Sequence, residues 1–291
     1  MYIYVNKMSN IKIFQAYYLQ DQLSQLDNEF VPYNNTSNLE GDYREYPIFK
    51  DLYNIGVNEN LDLWGYFSWK WKEKLYGLNA LDIKQQVEKY PGYDVYFWNP
   101  FSEHAVFFFN VWEQGQIHHP HLITIMEHIF PKLGLDPNWV YQPMHPDVIW
   151  FGLYCVGNKK FWQGFLDFAD IYKNSIDQLP YHIKNLHNSG AQYEHFPTLW
   201  YFPFIHERLL STYLTINYPD LKIWHYHHRK DDLGYIWDRL YHLKTMAIKY
   251  KEVELLKEWQ HLRYQLGVNC KFSEQWVKKF DKNLLNIYNK L

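Results

Sequence analysis

Cysteine is nearly missing from this chain of 291 residues: there are two, Cys155 in an apolar run and Cys270 near the C-terminus. Neither stands in a CxxC or CxxH spacing, so no disulfide framework is expected, and the pattern suits a reduced, cytosolic protein with structural thiols. Long apolar runs are lacking too, since none reaches the ~18–20 residues that a membrane span needs. The opening Met1-Tyr2-Ile3-Tyr4-Val5-Asn6-Lys7 has no basic region leading into an apolar core, so no signal peptide is expected. An excess of basic residues is also absent: 29 Lys and Arg stand against 32 Asp and Glu, a formal net charge of −3. No positive field therefore favours nucleic acid as a partner. The chain carries no Gly-x-Ser-x-Gly elbow, no Gly-rich phosphate loop and no HExxH, which removes the common signatures of a serine nucleophile, a P-loop and a zincin. No repeat of ~20–50 residues is visible, so a solenoid is not expected.

What the chain has in excess is aromatic rings: 27 Tyr, 19 Phe and 13 Trp, 20% of all residues. Such rings stack on the apolar faces of sugars and bases while their OH and NH groups bond at the edges, and they also fill cores and ordinary interfaces. With 47% hydrophobic and 21% charged residues the chain is globular rather than disordered. Its length suits one α/β core with a helical appendix better than two small domains.

Along the chain, Ile11 to Tyr18 reads as a first strand, followed by a helix-capable stretch from Asp21 to Asn28, a polar loop at Asn34 to Asn38, and a new ordered piece at Glu45-Tyr46-Pro47-Ile48-Phe49. Leu61 to Leu75 contains Lys70, Lys72 and Lys74 around Trp69 and Trp71. A helix is expected from Asn79 to Lys89, then a strand beginning after Pro91-Gly92. Phe107 to Trp112 is another apolar run, and a helix follows from about Leu122 to Leu133. Val148 to Val156 reads as a strand, Lys160 to Lys173 as an amphipathic helix, Phe204 to Leu214 as a helix, and Lys222 to His227 as a last strand. Beyond Arg229 the texture changes to long helices, with three- and four-residue apolar spacing over Leu233 to Leu266. A closing helix is expected from Ser273 to about Tyr288. The expected domains are residues 1–228, an α/β body, and residues 229–291, a helical extension serving for packing or as a homo-oligomer contact.

Three places carry candidate chemistry. In Tyr93-Asp94-Val95-Tyr96-Phe97-Trp98-Asn99-Pro100 a lone carboxylate opens an aromatic strand; with a nearby Asn it can hold a divalent ion, or it can cap a turn. Lys70, Lys72 and Lys74 share one side of an extended chain and could meet phosphate, or form a solvated face beside buried tryptophans. Glu207-Arg208 lies between apolar turns and is either a structural lock or a catalytic carboxylate with its orienting partner. Of the histidines, His118, His119 and His121 form one group and His225, His227 and His228 another; His225 and His227 would share a strand face.

The order Ile13-Phe14-Gln15-Ala16-Tyr17-Tyr18, Glu45-Tyr46, Gly65-Tyr66-Phe67-Ser68-Trp69-Lys70, Asp94-Val95-Tyr96-Phe97, Phe161-Trp162 and Glu207-Arg208-Leu209-Leu210 resembles uncharacterised proteins of bacterial capsule and lipopolysaccharide clusters that look like GT-A-type glycosyltransferases. The resemblance covers roughly residues 11–228. It implies a GT-A-like Rossmann-type mixed sheet flanked by helices. It implies a nucleotide-sugar donor and a glycan or lipid-linked acceptor, in the cytoplasm or at the inner face of the membrane. Donor contacts are then expected from Gln15, Tyr17, Ser68, Lys70, Lys72, Asn99 and Arg208, with Glu207 as the base and Asp94 as its catalytic companion. The usual Asp-x-Asp metal motif is reduced here to Asp94-Val95-Tyr96. Either Asp94 joins His225 or His227 around Mn or Mg, or the site is metal-independent and Lys70 or Lys72 stabilises the leaving diphosphate. A non-catalytic carbohydrate-binding or polysaccharide-assembly protein is the alternative, and a histidine-metal hydrolase a third.

Overall fold

The computed structural model describes residues 10–37, 41–193, 196–218, 220–227 and 234–269. The strands are β1 (Ile11–Tyr17), β2 (Val31–Asn34), β3 (Leu63–Ser68), β4 (Val95–Asn99), β5 (Cys155–Gly157), β6 (Ala191–Tyr193), β7 (Phe196–Leu199) and β8 (Ile223–His227). The helices are α1 (Tyr46–Asn54), α2 (Val57–Asn60), α3 (Trp71–Lys74), α4 (Ala80–Lys89), α5 (Ser102–Phe107), α6 (Val111–His118), α7 (Leu122–Ile129), α8 (Lys159–Ser175), α9 (Tyr181–Ser189), α10 (Phe202–Asn217), α11 (Gly234–Tyr250) and α12 (Val253–Asn269). Two compact units emerge: Met1–Pro100 with Trp150–His228, and Phe101–Ile149 with Arg229–Leu291. This division differs from the one expected at 228. The boundary after His228 coincides, but residues 101–149 group with the C-terminal helices instead of with the α/β body. The closing helix expected from Ser273 lies outside the described residues.

The first unit is an α/β layer structure around a six-stranded mixed sheet of order β2-β1-β3-β5-β4-β8. β1 runs parallel to β2 and β3, β4 runs parallel to β8, and β5 is antiparallel to both β3 and β4. Five strands therefore point one way, and β5 alone is reversed. Side chains alternate across a strand, and β3 shows what covers each face. Trp64 stacks on Trp162 of α8 at 4.2 Å and Tyr66 meets Phe49 of α1 at 5.1 Å. On the other face Leu63 and Phe67 join Ile13, Trp98 and Val156 in a core closed by Ala80, Ile83 and Val87 of α4. The α4 start is set by a capping box in which Asn79 Oδ1 accepts the Asp82 N–H while Asp82 accepts the Asn79 N–H. Gly65 sits where β3 is crowded by β5. A Cβ there would stand 2.3 Å from the Cys155 carbonyl oxygen, so a larger residue would push the two strands apart.

Two expectations from the sequence change. Val148 to Val156 forms a strand only from Cys155, because Gly152 turns the chain through a left-handed conformation (φ 69°) and Trp150 bonds away from the sheet. The Trp150 N–H donates to Ser211 Oγ at 2.9 Å. β2, whose last residue Asn34 falls in the expected polar loop, is an edge strand of four residues that carries Pro32, a place where a missing N–H is tolerated.

In the second unit the C-terminal helices are built in by polar contacts. Trp259 of α12 donates its indole N–H to the Val106 carbonyl at 2.9 Å, and Trp237 of α11 donates to Ser102 at 3.1 Å. Arg263 and Glu113 pair at 2.7 Å with side-chain exposures of 5% and 1%, so neither charge has water to fall back on. Breaking one partner of such a pair costs about 3–5 kcal/mol. Lys244, held well below the ordinary lysine range by burial, donates to the carbonyls of Ala105 and Phe108. The aromatic excess of the sequence is mostly spent here and in the first unit's sheet layers: Trp64, Trp71, Trp98, Trp112, Trp150, Trp162 and Trp259 are all fully buried.

Candidate active site at the carboxyl edge of the sheet

From β1 the chain passes to β2 on one side and then returns to β3 on the other. In a parallel sheet that reversal opens a crevice beyond the carboxyl ends of the two central strands. The crevice is bordered by the segments after β1 (Tyr18, Leu19) and after β3 (Trp69, Lys70). Gln22 ties the first by accepting the N–H groups of Tyr18 and Leu19 at 2.8 and 3.1 Å. Gln15 straps the two segments from below: its Oε1 accepts the Asp27 N–H at 2.8 Å and its Nε2 reaches the Trp69 carbonyl at 3.5 Å. Gln15 is itself buried.

Three phenols stand at this edge. Tyr18 and Tyr66 share a hydrogen bond of 3.1 Å, and the Tyr154 hydroxyl lies 3.3 Å from Ser68 Oγ. Burial raises all three phenols above the usual tyrosine range. For Tyr154 the Lys74 charge and the Ser68 hydrogen bond work against burial, while Glu45 and Glu207 add to it. Lys74 Nζ lies 5.8 Å from the centre of the Tyr154 ring.

Two carboxyl groups complete the cluster. Glu45 precedes α1, and Arg44 immediately before it has a left-handed backbone (φ 51°), a conformation that a non-glycine residue adopts at a cost. The turn leaves Arg44 exposed and Glu45 half-buried. Burial is the chief cause that raises the Glu45 carboxyl above the ordinary range; the Glu207 charge raises it further, and its own backbone N–H, Lys74 and Arg44 pull it down. Glu207, one turn into α10, accepts the Gly152 N–H on Oε1 at 2.7 Å. The left-handed turn at Gly152 is what the sequence supplies for that contact. Among the described residues, Glu207 Oε2 and the Glu45 carboxyl receive no hydrogen bond from another residue. Half-buried carboxylates with unused acceptor positions, beside cations and phenols, can accept a proton or grip a hydroxyl.

The residues expected from the sequence divide between the two edges of the sheet. Ser68 and Glu207 belong to the carboxyl-edge cluster. Lys70 lies there too, exposed, with Nζ 4.8 Å over the Trp69 ring. Lys72 is engaged with Asp27 at 3.0 Å. Tyr17 and Asn99 are buried near the carboxyl ends of β1 and β4. Arg208 is buried behind Glu207 and donates to the Phe204 carbonyl at 2.8 Å; burial lowers its basicity and the Glu207 charge restores part of it.

Asp94 stands at the opposite, amino edge. Its Oδ1 accepts from Asn158 Nδ2 at 2.8 Å and its Oδ2 accepts the Lys222 N–H at 2.8 Å, with Lys160 Nζ 3.9 Å away. Its backbone bonds to Lys222 and Asn158 as well. Asp94 is thus a clamp joining the starts of β4, β8 and α8. His225 and His227 pair with Phe97 and Asn99 in register, three and five residues further along β4. At about 3.3 Å per residue that is roughly 10 and 16 Å from Asp94. The expected Asp94, His225 and His227 metal set is not brought together, and no group of three His, Cys, Asp or Glu suited to a metal ion occurs among the described residues. Both Asp94 oxygens are engaged in this junction.

The sequence did not single out Tyr18, Arg44, Glu45, Tyr66, Lys74 or Tyr154 as a set. The local signals were Lys74, read with Lys70 and Lys72 as a phosphate candidate, and Glu45-Tyr46 ahead of Pro47, where a new ordered piece begins; the rest meet only in the fold. No family model matches the chain, and neither a curated protein nor a solved structure matches it.

Proposed function

We propose that the protein is a glycosyltransferase of GT-A-like fold that moves a sugar from a nucleotide-sugar donor to a hydroxyl of a glycan or lipid-linked acceptor. The observation that carries this reading is the two carboxyls, Glu45 and Glu207, with acceptor positions unused among the described residues, beside cations and phenols at the switch point of a mostly parallel sheet. In the transfer, the acceptor O–H bond breaks and its proton passes to Glu207. The acceptor oxygen bonds to the sugar carbon, and the bond from that carbon to the donor phosphate breaks with its electron pair, leaving a nucleoside diphosphate. The diphosphate gains negative charge as it departs, and Arg44, Lys70 and Lys74 are the cations at this edge that meet it. The reading needs no metal step. Cytoplasmic placement and contact with the inner face of the membrane through a lipid-linked acceptor belong to the same proposal. No helix among the described residues is long and apolar enough to cross a membrane.

Calorimetry with a panel of nucleoside diphosphates and nucleotide sugars, with and without manganese, tests the donor half. Binding of at least one, weakened in Lys74→Met, is the expected result. Heats indistinguishable from buffer for every compound would remove the reading.

A further inference from the structure

We propose that two buried phenols, Tyr66 and Tyr154, give their protons in hydrogen bonds to Tyr18 and Ser68, so that the Tyr18 and Ser68 hydroxyls turn their own protons outward as paired donors to a diphosphate. The ligand half of this inference rests on the transferase reading; the direction of the hydrogen bonds does not.

The direction follows from burial and from the partners at hand. Tyr66 is 2% exposed and Tyr154 3%. Among the described residues the Tyr66 hydroxyl has Tyr18 as its one hydrogen-bond partner, at 3.1 Å, and the Tyr154 hydroxyl has Ser68, at 3.3 Å. A hydroxyl has one proton to give and two lone pairs that accept. Were Tyr66 the acceptor, its own proton would be shut away from water with nothing to meet, and a buried donor left in that state is costly. Tyr66 therefore donates and Tyr18 accepts. Tyr18 is half-buried, so its proton turns toward the crevice. By the same reasoning Tyr154 donates to Ser68, which is also half-buried.

Packing holds both pairs in place. Phe49 lies edge-on to Tyr66 with ring centres 5.1 Å apart, and Tyr154 lies against Phe67 at 5.4 Å. Gln22 fixes the Tyr18 backbone by accepting its N–H at 2.8 Å. Tyr66 and Ser68 are two residues apart on β3 and so share one face, and Ala16 of β1 stands opposite Ser68 in register. Two outward O–H donors thus come together where β1 and β3 end. Lys70 follows Ser68 by two residues; it is exposed and makes no ion pair among the described residues. Hydroxyl and ammonium donors with no acceptor among them match the anionic oxygens of a diphosphate. Glu45 and Glu207, acceptors at the same edge, suit an incoming hydroxyl instead. Tyr18 and Ser68 are then ligand contacts, and Tyr66 and Tyr154 are positioning residues that act through them.

Full-length protein carrying 13Cζ-tyrosine, in equal parts H2O and D2O, reads the directions without a ligand. A hydroxyl whose proton is locked in the fold exchanges slowly and gives two Cζ lines, one for each isotope; one whose proton meets water gives a single averaged line. Tyr66 and Tyr154 should each give two lines and Tyr18 one, with the spectra of Tyr18→Phe, Tyr66→Phe and Tyr154→Phe as assignments. Two lines at Tyr18, or one at Tyr66 or Tyr154, overturns the proposal. Calorimetry with inorganic pyrophosphate and with nucleoside diphosphates reads the ligand. Tyr18→Phe should weaken binding about ten-fold, the loss of a hydrogen bond to a charged group. Tyr66→Phe should weaken it a few-fold in the wild type and add nothing in Tyr18→Phe, because it acts through that hydroxyl. An equal loss in both backgrounds means a merely structural effect and overturns the relay. Binding of pyrophosphate without any nucleotide supports the donor pair and removes the transferase reading. Binding of neither overturns the diphosphate as ligand, whatever the lines show.

Discussion

At the amino edge of the sheet Asp94 has each carboxylate oxygen filled by its own donor, one from Asn158 and one from the Lys222 backbone. At the carboxyl edge Glu207 has one oxygen filled and Glu45 receives nothing from another residue among those described. Left-handed backbone occurs on both sides: at Gly92 just before Asp94, and at Arg44 and Gly152 beside Glu45 and Glu207. A carboxylate bonded through both oxygens to separate elements holds those elements together, whereas a half-buried one with fewer donors is a candidate for chemistry. The difference teaches that a charge placed at the start of an aromatic strand marks a structural junction here, while the groups proposed to react sit where the parallel strands end.

The sharpest way to break this contrast is Glu207→Gln. Loss of a general base should lower the transfer rate by about 10²–10⁴-fold, with little change in melting temperature. Steady-state kinetics beside a thermal melt reads both, and retained turnover would move the base elsewhere. Asp94→Ala should do the reverse. Leaving the Lys222 N–H and the Asn158 amide without their acceptor should cost about 1–3 kcal/mol of stability, measured by urea unfolding, while activity per folded molecule stays unchanged. A lost rate with an intact fold would return Asp94 to the site.

His206 tests the packing that supports Glu207. It is buried among Tyr46, Phe49, Phe165 and Phe202, and its Nε2 has no hydrogen-bond partner among the described residues. Burial is the main reason its imidazole falls from 6.5 to about 3, with Asp170 opposing. A base whose folded-state value is depressed binds fewer protons in the native state than in the unfolded one. Its contribution is complete above about 6.5 and is lost as pH falls toward about 3. At pH 5 that amounts to roughly 2 kcal/mol, taking about 1.4 kcal/mol per pH unit. His206→Phe should remove this part of the acid sensitivity, seen as a smaller difference in urea midpoint between pH 7 and pH 5; an unchanged difference would mean that His206 is not neutral in the fold. The smallest effect expected is at Lys74. Lys74→Met should weaken donor binding a few-fold, with the loss shrinking at high salt, as for an exposed cation meeting phosphate.

Much of the first unit was readable from residue pattern. β1, α4, α8, α10 and β8 follow from period and punctuation, because each buries one face against a neighbour and so repeats apolar residues at the spacing of its backbone. Asn79 before Ala80 and Pro91-Gly92 before β4 marked boundaries for the same local reason. Val148 to Val156 deceived because an apolar run records burial without recording who takes its hydrogen bonds; Trp150 gives its N–H to Ser211, 61 residues away. Asp94 deceived in a similar way. Its position at a strand's beginning was visible, but its partners Asn158 and Lys222 are 64 and 128 residues distant.

By itself the sequence determined an α/β chain with long C-terminal helices, no excess of positive charge, a core that takes up much of the aromatic excess, and Ser68 and Glu207 as residues of interest. Those properties are local, set by spacing, composition and backbone preference. Only the tertiary structure decided that residues 101–149 join the C-terminal helices, that Asp94 closes the amino edge, and that Glu45 comes to stand with Glu207 among Tyr18, Tyr66, Tyr154 and Lys74. The reason is strand order. Parallel strands bring their carboxyl ends together from points far apart in the chain, and which loops then share a crevice depends on the order in which the strands pair.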